Sequence, residues 1–264
     1  MTERAEQLAR LAQGWDEAAA GYETYFVPRF APWVAAAVRA ITTEVLPDGP
    51  VLVPCCGTFP ELDLLVEHCP GREVVGIDLS AGMVGRARER PTHHPLTSVV
   101  HGDASALDRR WSGRCAGVVS VFGLQQLPEP DLALRSWAAT LRSGGQLSVV
   151  FWPGATEVDG LFACLADVLR AHVPARDASW EQRLAPTLTA CGTRIERDDR
   201  PAHPMSHPDA ATFFDAIVGF GPLRPLATAR GNRFIGVLRE EFLRRAPAGT
   251  LHHRPRARHI VARR

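Results

Sequence analysis

From residue 50 to residue 152 the chain alternates short β-branched runs with amphipathic stretches, and this alternation limits the folds open to it. The runs fall at 50–54, 73–77, 97–101, 116–121 and 146–152. They are continuously apolar, the pattern of parallel strands covered on both faces. Between them lie segments with helical spacing. One spans 60–69. A second starts at Ser80, a good N-cap, with Met83, Val84 and Ala87 on one face. A third spans 131–142, with Leu134, Trp137 and Leu141, and "SGG" closes it. Repeated strand–helix units imply an α/β fold with a doubly wound, mostly parallel sheet.

The flanks read as helical. Residues 3–20 place Leu8, Leu11, Ala12 and Trp15 on one face, and an aromatic linker, "GYETYFVPRF", follows. A second helix carries Trp33, Val34, Ala37, Val38, Ile41 and Val45 and stops at "PDGP". Beyond 152, helices are expected at 158–172 and 179–191, from "SHPDAATFFDAIVGF", and at 232–246; strands are expected at 193–198 and 257–263. The expected organisation is a lid at 1–46, a ligand-binding core at 47–154 and a substrate-side region at 155–264, all in one domain.

Composition narrows the function classes. A chain of 264 residues suffices for one large domain. A formal net charge of +1 gives no global excess for nucleic acid. All 30 basic residues are arginine, and the five from Arg254 onward read as a solvated strand edge. No run of ~18 apolar residues occurs, so no membrane-spanning helix is expected. The amphipathic N-terminus lacks a secretory core, and six cysteines without CxxC spacing suit free thiols in a reducing cytoplasm. Cys55 and Cys56 read as small buried hydrophobes rather than a vicinal disulfide or a reactive thiol. No metal-ligand spacing is present.

Chemistry concentrates at strand ends. "VLVPCCGTFPEL", residues 51–62, is a strand, a tight turn and a helix start. The N–H groups of 56–59 near a helix start suit a polar or anionic ligand, and Gly57 lets the backbone approach it. Asp78 follows 21 residues later at the second strand's end, the spacing of the acid that accepts ribose hydroxyls in dinucleotide folds; the alternative is a cap for the helix near Ser80. Asp103 ends the third strand, placed to take an adenine amino group or to shape a turn.

Taken in order, "VLVPCCGTFPEL", "VVGIDLSAGMVGRARER", "VVHGDASAL" and "VSVFGLQQLPEPDLALRSWAATLRSGGQLSVVFW" resemble the class I S-adenosylmethionine-dependent methyltransferases. The resemblance extends to the small-molecule branch, with a helical N-terminal lid and a helical insert before the last strand. It implies a Rossmann-like sheet of seven strands whose last strand is reversed. It implies S-adenosylmethionine as cofactor, with Asp78 and Leu79 at the ribose, Asp103 and Ala104 at the adenine, and Phe122 to Gln125 beside the methyl donor. Tyr22 and Trp15 resemble lid aromatics at the methionine end, although Trp15 also fits a core stripe.

The turn departs from the family's acid-x-Gly-x-Gly-x-Gly. Val53 replaces the acid, Cys55 the first glycine and Phe59 the third; Gly57 keeps the second and Pro60 follows. Phe59 is expected at the pocket mouth, its ring turned outward as a wall or inward over the space for the methionine arm. Cys55, Gly57 and Phe59 therefore join the expected cofactor contacts. The expected function is methyl transfer to a small, biosynthetic substrate, with proximity as the main catalytic device. The alternative is a methyltransferase-fold protein that no longer methylates. It would catalyse another small-molecule reaction, such as intramolecular displacement or ring closure, or act as a partner subunit. His101, His203 and His207 are possible bases but equally structural residues. Acceptor and oligomeric state are not readable.

Overall fold

The computed structural model describes residues 3–42, 45–90, 95–174 and 177–264. In chain order the elements are α1 (Glu3–Tyr25), α2 (Val27–Thr42), β1 (Val51–Pro54), α3 (Leu62–His68), β2 (Val74–Asp78), α4 (Ala81–Glu89), β3 (Thr97–His101) and β4 (Cys115–Val121). There follow α5 (Pro130–Thr140), β5 (Leu141–Phe151), α6 (Leu161–His172), α7 (Trp180–Ala190), β6 (Arg194–Asp199), β7 (Met205–His207), α8 (Ala210–Gly219), α9 (Arg224–Arg245), β8 (Leu251–His253) and β9 (Arg258–Arg263). Seven strands form one sheet in the order β3-β2-β1-β4-β5-β9-β6. The first five pair in parallel, and β9 is antiparallel between β5 and β6. The α/β sheet with a reversed last strand is the architecture expected from the sequence.

Burial follows the apolar runs. All four residues of β1 and all seven of β4 are buried, as parallel strands between helical layers must be. One face of the sheet packs around Trp33, Phe59, Leu65 and Phe213; the other packs around Trp137, Leu134, Leu184 and Phe151.

Three local readings change, and one falls partly outside the described residues. The aromatic linker is helical: α1 continues to Tyr25 and α2 starts at Val27. Residues 43 and 44, at the end of the expected second helix, lie outside the described residues. "SGG" does not close a helix; α5 ends at Thr140, and β5 already includes Ser143, Gly144 and Gly145. These glycines sit where the register with β4 shifts, and a Cβ at Gly145 would meet the Arg142 and Cys115 carbonyl oxygens at 2.9 Å. Finally, β7 and β8 pair as a separate two-stranded sheet, joining residues some 46 apart.

The position of Phe59 is the main correction. Its ring is fully buried in the core and does not line the cavity at the strand ends. It lies against Gly76 of β2, where an added Cβ would come within 2.8 Å of the Phe59 Cε1. The bulk gained at the turn is accommodated by a missing side chain in the neighbouring strand. Gly76→Ala should therefore destabilise the fold by about 1–3 kcal/mol through overpacking. Phe59→Ala should destabilise it by about 3–5 kcal/mol through cavity creation. Urea unfolding of both variants measures the two effects, and a Gly76→Ala chain as stable as the parent would contradict this packing.

His259, the second residue of β9, bonds Ser148 Oγ of β5 through Nε2 at 2.9 Å. Burial, with the nearby Arg197 and His203, pushes its imidazole down to about 4. Between pH 6.5 and 4 the unfolded chain binds a proton that the native state excludes, so stability falls as pH drops through this window. Denaturation midpoints from pH 7 to 4.5 should fall less steeply in His259→Gln.

Candidate functional site at the strand ends

β1 ends at Pro54 and the chain turns at once. Cys55, Gly57 and Phe59 have φ values of 57°, 54° and 63°. A side chain in this left-handed region costs roughly 1–2 kcal/mol, so the turn needs support. Cys56 N–H donates to the Ile77 carbonyl at 3.1 Å, Gly57 N–H to Asp78 Oδ2 at 2.8 Å, and Phe59 N–H to the Cys56 carbonyl at 2.8 Å. These bonds hold the turn against β2. They also mean that the N–H groups of 56, 57 and 59, expected to face a ligand, are engaged within the protein. The turn supplies shape and not an anion cradle. Shape also fixes Gly123, where an added Cβ would lie 2.3 Å from that of Cys55.

Asp78 ends β2 with both carboxylate oxygens in use: Oδ2 accepts from Gly57 and Oδ1 from Ser80 N–H at 2.9 Å. Burial raises its carboxyl above the usual range, opposed by the N–H groups of Ser80, Gly57 and Leu79. Each oxygen keeps a lone pair for a further donor. Asp103, after β3, accepts from Ser105 N–H at 2.8 Å and Ser105 Oγ at 2.6 Å through Oδ1. Its Oδ2 lies 3.9 Å from the Arg4 guanidinium.

α1 covers these strand ends and is fastened at several points. Asp16 Oδ1 accepts from Ser80 Oγ at 2.6 Å and from Gly82 N–H at 2.9 Å, while Ser80 Oγ caps α4 by accepting from Met83 N–H. Arg86 pairs with Glu23 at 2.6 Å, and Arg224 pairs with Glu17. Gly21 sits against the Phe220 ring, where no Cβ would fit. Trp15 and Tyr22, in edge contact at 5.5 Å, are thereby held over the turn.

Under α1 lies a cavity of about 350 Å³, within the usual ligand range. Eight of the nine residues singled out for a cofactor line it: Tyr22, Cys55, Gly57, Asp78, Leu79, Asp103, Ala104 and Phe122. Phe59 is the ninth and is turned into the core. Trp15 and Gln125 also line it. Away from the carboxylates the wall is aromatic: Phe26, Phe30, Phe122, Trp152 and Phe162. Phe122 and Trp152 stack at 4.3 Å and 8°. Phe122 has φ 59°, the third non-glycine residue in the left-handed region, and its N–H donates to the Val150 carbonyl at 2.7 Å.

None of the three candidate histidines lines the cavity. His101 bonds the Leu79 carbonyl at 2.9 Å, and His203 packs edge-on against Trp33. His207 belongs to a buried chain that sequence reading missed. Tyr25 Oη contacts His207 Nδ1 at 2.7 Å, His207 Nε2 contacts His253 Nε2 at 3.0 Å, and His253 Nδ1 contacts Glu157 Oε1 at 2.6 Å. Burial holds His207 down at about 3, hence neutral. One hydrogen-bond direction then satisfies every atom: Tyr25 donates to His207, His207 to His253, and His253 to the Glu157 carboxylate. Also missed was Glu61, a carboxyl with 2% exposure beside the turn. Its only sequence signal is an acid immediately before α3. All six cysteines are free, and burial raises the thiols of Cys55 and Cys56 well above their ordinary value. No cluster of metal-ligating side chains and no helix long and apolar enough to cross a membrane occurs among the described residues.

Comparison with known proteins meets this geometry. Residues 51–145 match the methyltransferase domain family. Over 104 residues the chain is 33% identical to a demethylmenaquinone methyltransferase of Listeria monocytogenes, a match covering 38% of this chain and 43% of that protein. Over 152 residues it is 30% identical to an N-demethylindolmycin N-methyltransferase of Streptomyces griseus, covering 56% and 60%. The chain thus spans about half the length of the curated relatives it matches. Among solved structures, a Haemonchus contortus N-methyltransferase in complex with phosphomonomethylethanolamine and S-adenosylhomocysteine aligns with a TM-score of 0.56 and 13% identity, covering 100% of this chain and 60% of that one. A methyltransferase domain at residues 51–145, set in a sheet of this strand order, gives the chain the fold of the class I S-adenosylmethionine-dependent methyltransferases.

Proposed function

We propose that the protein transfers a methyl group from S-adenosylmethionine to a small, largely apolar biosynthetic substrate. The observation that carries this reading is the division of one cavity into two halves. Asp78 and Asp103 stand at adjacent strand ends on one side, and Phe30, Phe122, Trp152 and Phe162 form the other. The residues present fit the cofactor. Asp78 has lone pairs for ribose hydroxyls, Asp103 can take an amino group, and the Phe59 ring leaves the space beside the turn open. The curated relatives named above act on small molecules, in line with this division.

When bound, S-adenosylmethionine supplies an electrophilic methyl carbon on a sulfonium. The chain's own contribution is position and dryness. α1 lines one side of the cavity with Leu11, Ala12, Trp15 and Tyr22, and the stacked pair Phe122–Trp152 gives a planar acceptor a flat surface. Holding donor and acceptor together in this way supplies much of the rate. Among the described residues, no histidine, lysine or arginine lines the cavity. Its carboxylates lie at the cofactor end, and the Cys55 thiol is held neutral. The geometry therefore suits an acceptor that brings its own lone pair or ionised atom and needs no base from this chain.

Calorimetric titration with S-adenosylhomocysteine tests the reading. Micromolar binding is expected. Asp78→Asn, which keeps the side-chain shape, should weaken it by about 1.5–3 kcal/mol for a lost charged hydrogen bond, tenfold or more. Absence of heat at millimolar ligand would overturn the assignment, and unchanged affinity in the variant would reduce Asp78 to a support for the turn.

A further inference from the structure

The cofactor reading leaves one charge unaccounted for. The amino-acid arm of S-adenosylmethionine ends in an ammonium and a carboxylate, and a cation taken out of water needs an anionic partner. Asp78 and Asp103 are the two carboxylates on the cavity, and both are committed to backbone and side-chain donors at the ribose and adenine positions. At the end of β1, where the resemblance leads one to expect an acid, stands fully buried Val53.

We propose that Glu61 is the anionic partner of the ligand's ammonium group, standing in for the acid lost at Val53. This rests on the cofactor reading above. Glu61 follows Gly57 by four residues and is 2% exposed, and its Oε2 has no hydrogen-bond partner. Thr58 Oγ1, on the same turn, is also fully buried without a partner. Two orphaned oxygens at one turn are costly, roughly 1–3 kcal/mol for each unsatisfied group, and a ligand donor would satisfy them. Glu61 is on the same turn as the cavity-lining Gly57 but does not itself line the cavity. Of the charges acting on the Tyr22 hydroxyl it is the strongest, ahead of Asp78, and both of those residues line the cavity. Binding in this way requires the Glu61 side chain to rotate past Tyr22 toward the cavity. The cation nearest to Glu61, Arg90, is instead paired with Asp63 at 2.8 Å.

This placement makes binding proton-linked. Burial first, and then Asp78, push the Glu61 carboxyl up to about 8, against the opposing influence of its own N–H and of Arg90. At neutral pH the empty site therefore holds a protonated acid. An ammonium beside it favours the ionised form, so the proton leaves to solvent as the ligand enters.

The test is calorimetry at pH 7 with S-adenosylhomocysteine and with 5′-methylthioadenosine, which lacks the amino-acid arm. Buffers of different ionisation enthalpy report the protons released. The parent should release close to one proton with S-adenosylhomocysteine and none with methylthioadenosine. Glu61→Gln should abolish the release and weaken S-adenosylhomocysteine about tenfold or more, leaving methylthioadenosine within about twofold. Glu61→Leu guards against a folding defect: it should raise the melting temperature, by removing an orphaned carboxyl, and still lose the preference for the longer ligand. Equal losses for both ligands, or an undiminished proton release in Glu61→Gln, would overturn the role of Glu61 alone. Failure of the parent to bind either ligand would overturn the cofactor reading and this inference with it.

Discussion

Two backbone hydrogen bonds to one carboxylate organise the ligand end of this protein. Asp78 accepts Gly57 N–H from the turn after β1 and Ser80 N–H from the turn after β2. The first bond holds a left-handed turn in which three of five residues have positive φ; the second sets Ser80 as the cap of α4. Through Ser80 the same centre reaches α1, because Asp16 accepts from Ser80 Oγ and Gly82 N–H. Lid, turn and strand end are one connected polar assembly. A carboxylate that holds two turns and still offers lone pairs to a ligand makes binding depend on the fold being intact there.

The altered turn shows how a glycine requirement can be displaced. In the family pattern the turn itself carries the small residues. Here the turn carries Cys55 and Phe59, and the space they need comes from Gly123 after β4 and Gly76 within β2. The strain of left-handed φ is carried at Cys55 and Phe122, immediately after β1 and β4, and at Phe59 in the turn that follows β1. Such residues persist where the surrounding packing over-determines them. Phe59 illustrates this, since its buried ring contributes more than its backbone strain costs.

The fold was legible because its strongest signals are local. Continuous β-branched runs mark β1 to β5, and Ser80 marks the start of α4. The reversed β9 came from the family resemblance, since periodicity carries no direction. The aromatic segment 21–30 reads as a linker by composition, yet Tyr22, Phe26 and Phe30 recur every fourth residue and stack side by side along a helix face. The strand-end carboxylates were legible from spacing. The direction of the Phe59 ring was not, because it depends on Gly76 in another strand. Glu61 was missed for the same reason: an acid near a helix start reads as solvent-facing until the lid is placed over it.

The Tyr25–His207–His253–Glu157 chain was beyond reach of spacing altogether, since its members come from four separate segments. Its position ties the lid to the aromatic wall. Tyr25 is one residue from the cavity-lining Phe26, and Glu157 follows the cavity-lining Thr156 and accepts the N–H of the equally cavity-lining Phe162 at 2.9 Å. His253 packs edge-on against the Phe162 ring at 5.2 Å, and His207 against Phe213 at 4.8 Å. Buried polar chains favour a single arrangement because a broken member leaves donors or acceptors unsatisfied in low dielectric. The carboxylate end of the cavity is therefore held by Asp78 and the aromatic wall by this chain, with α1 contributing to both.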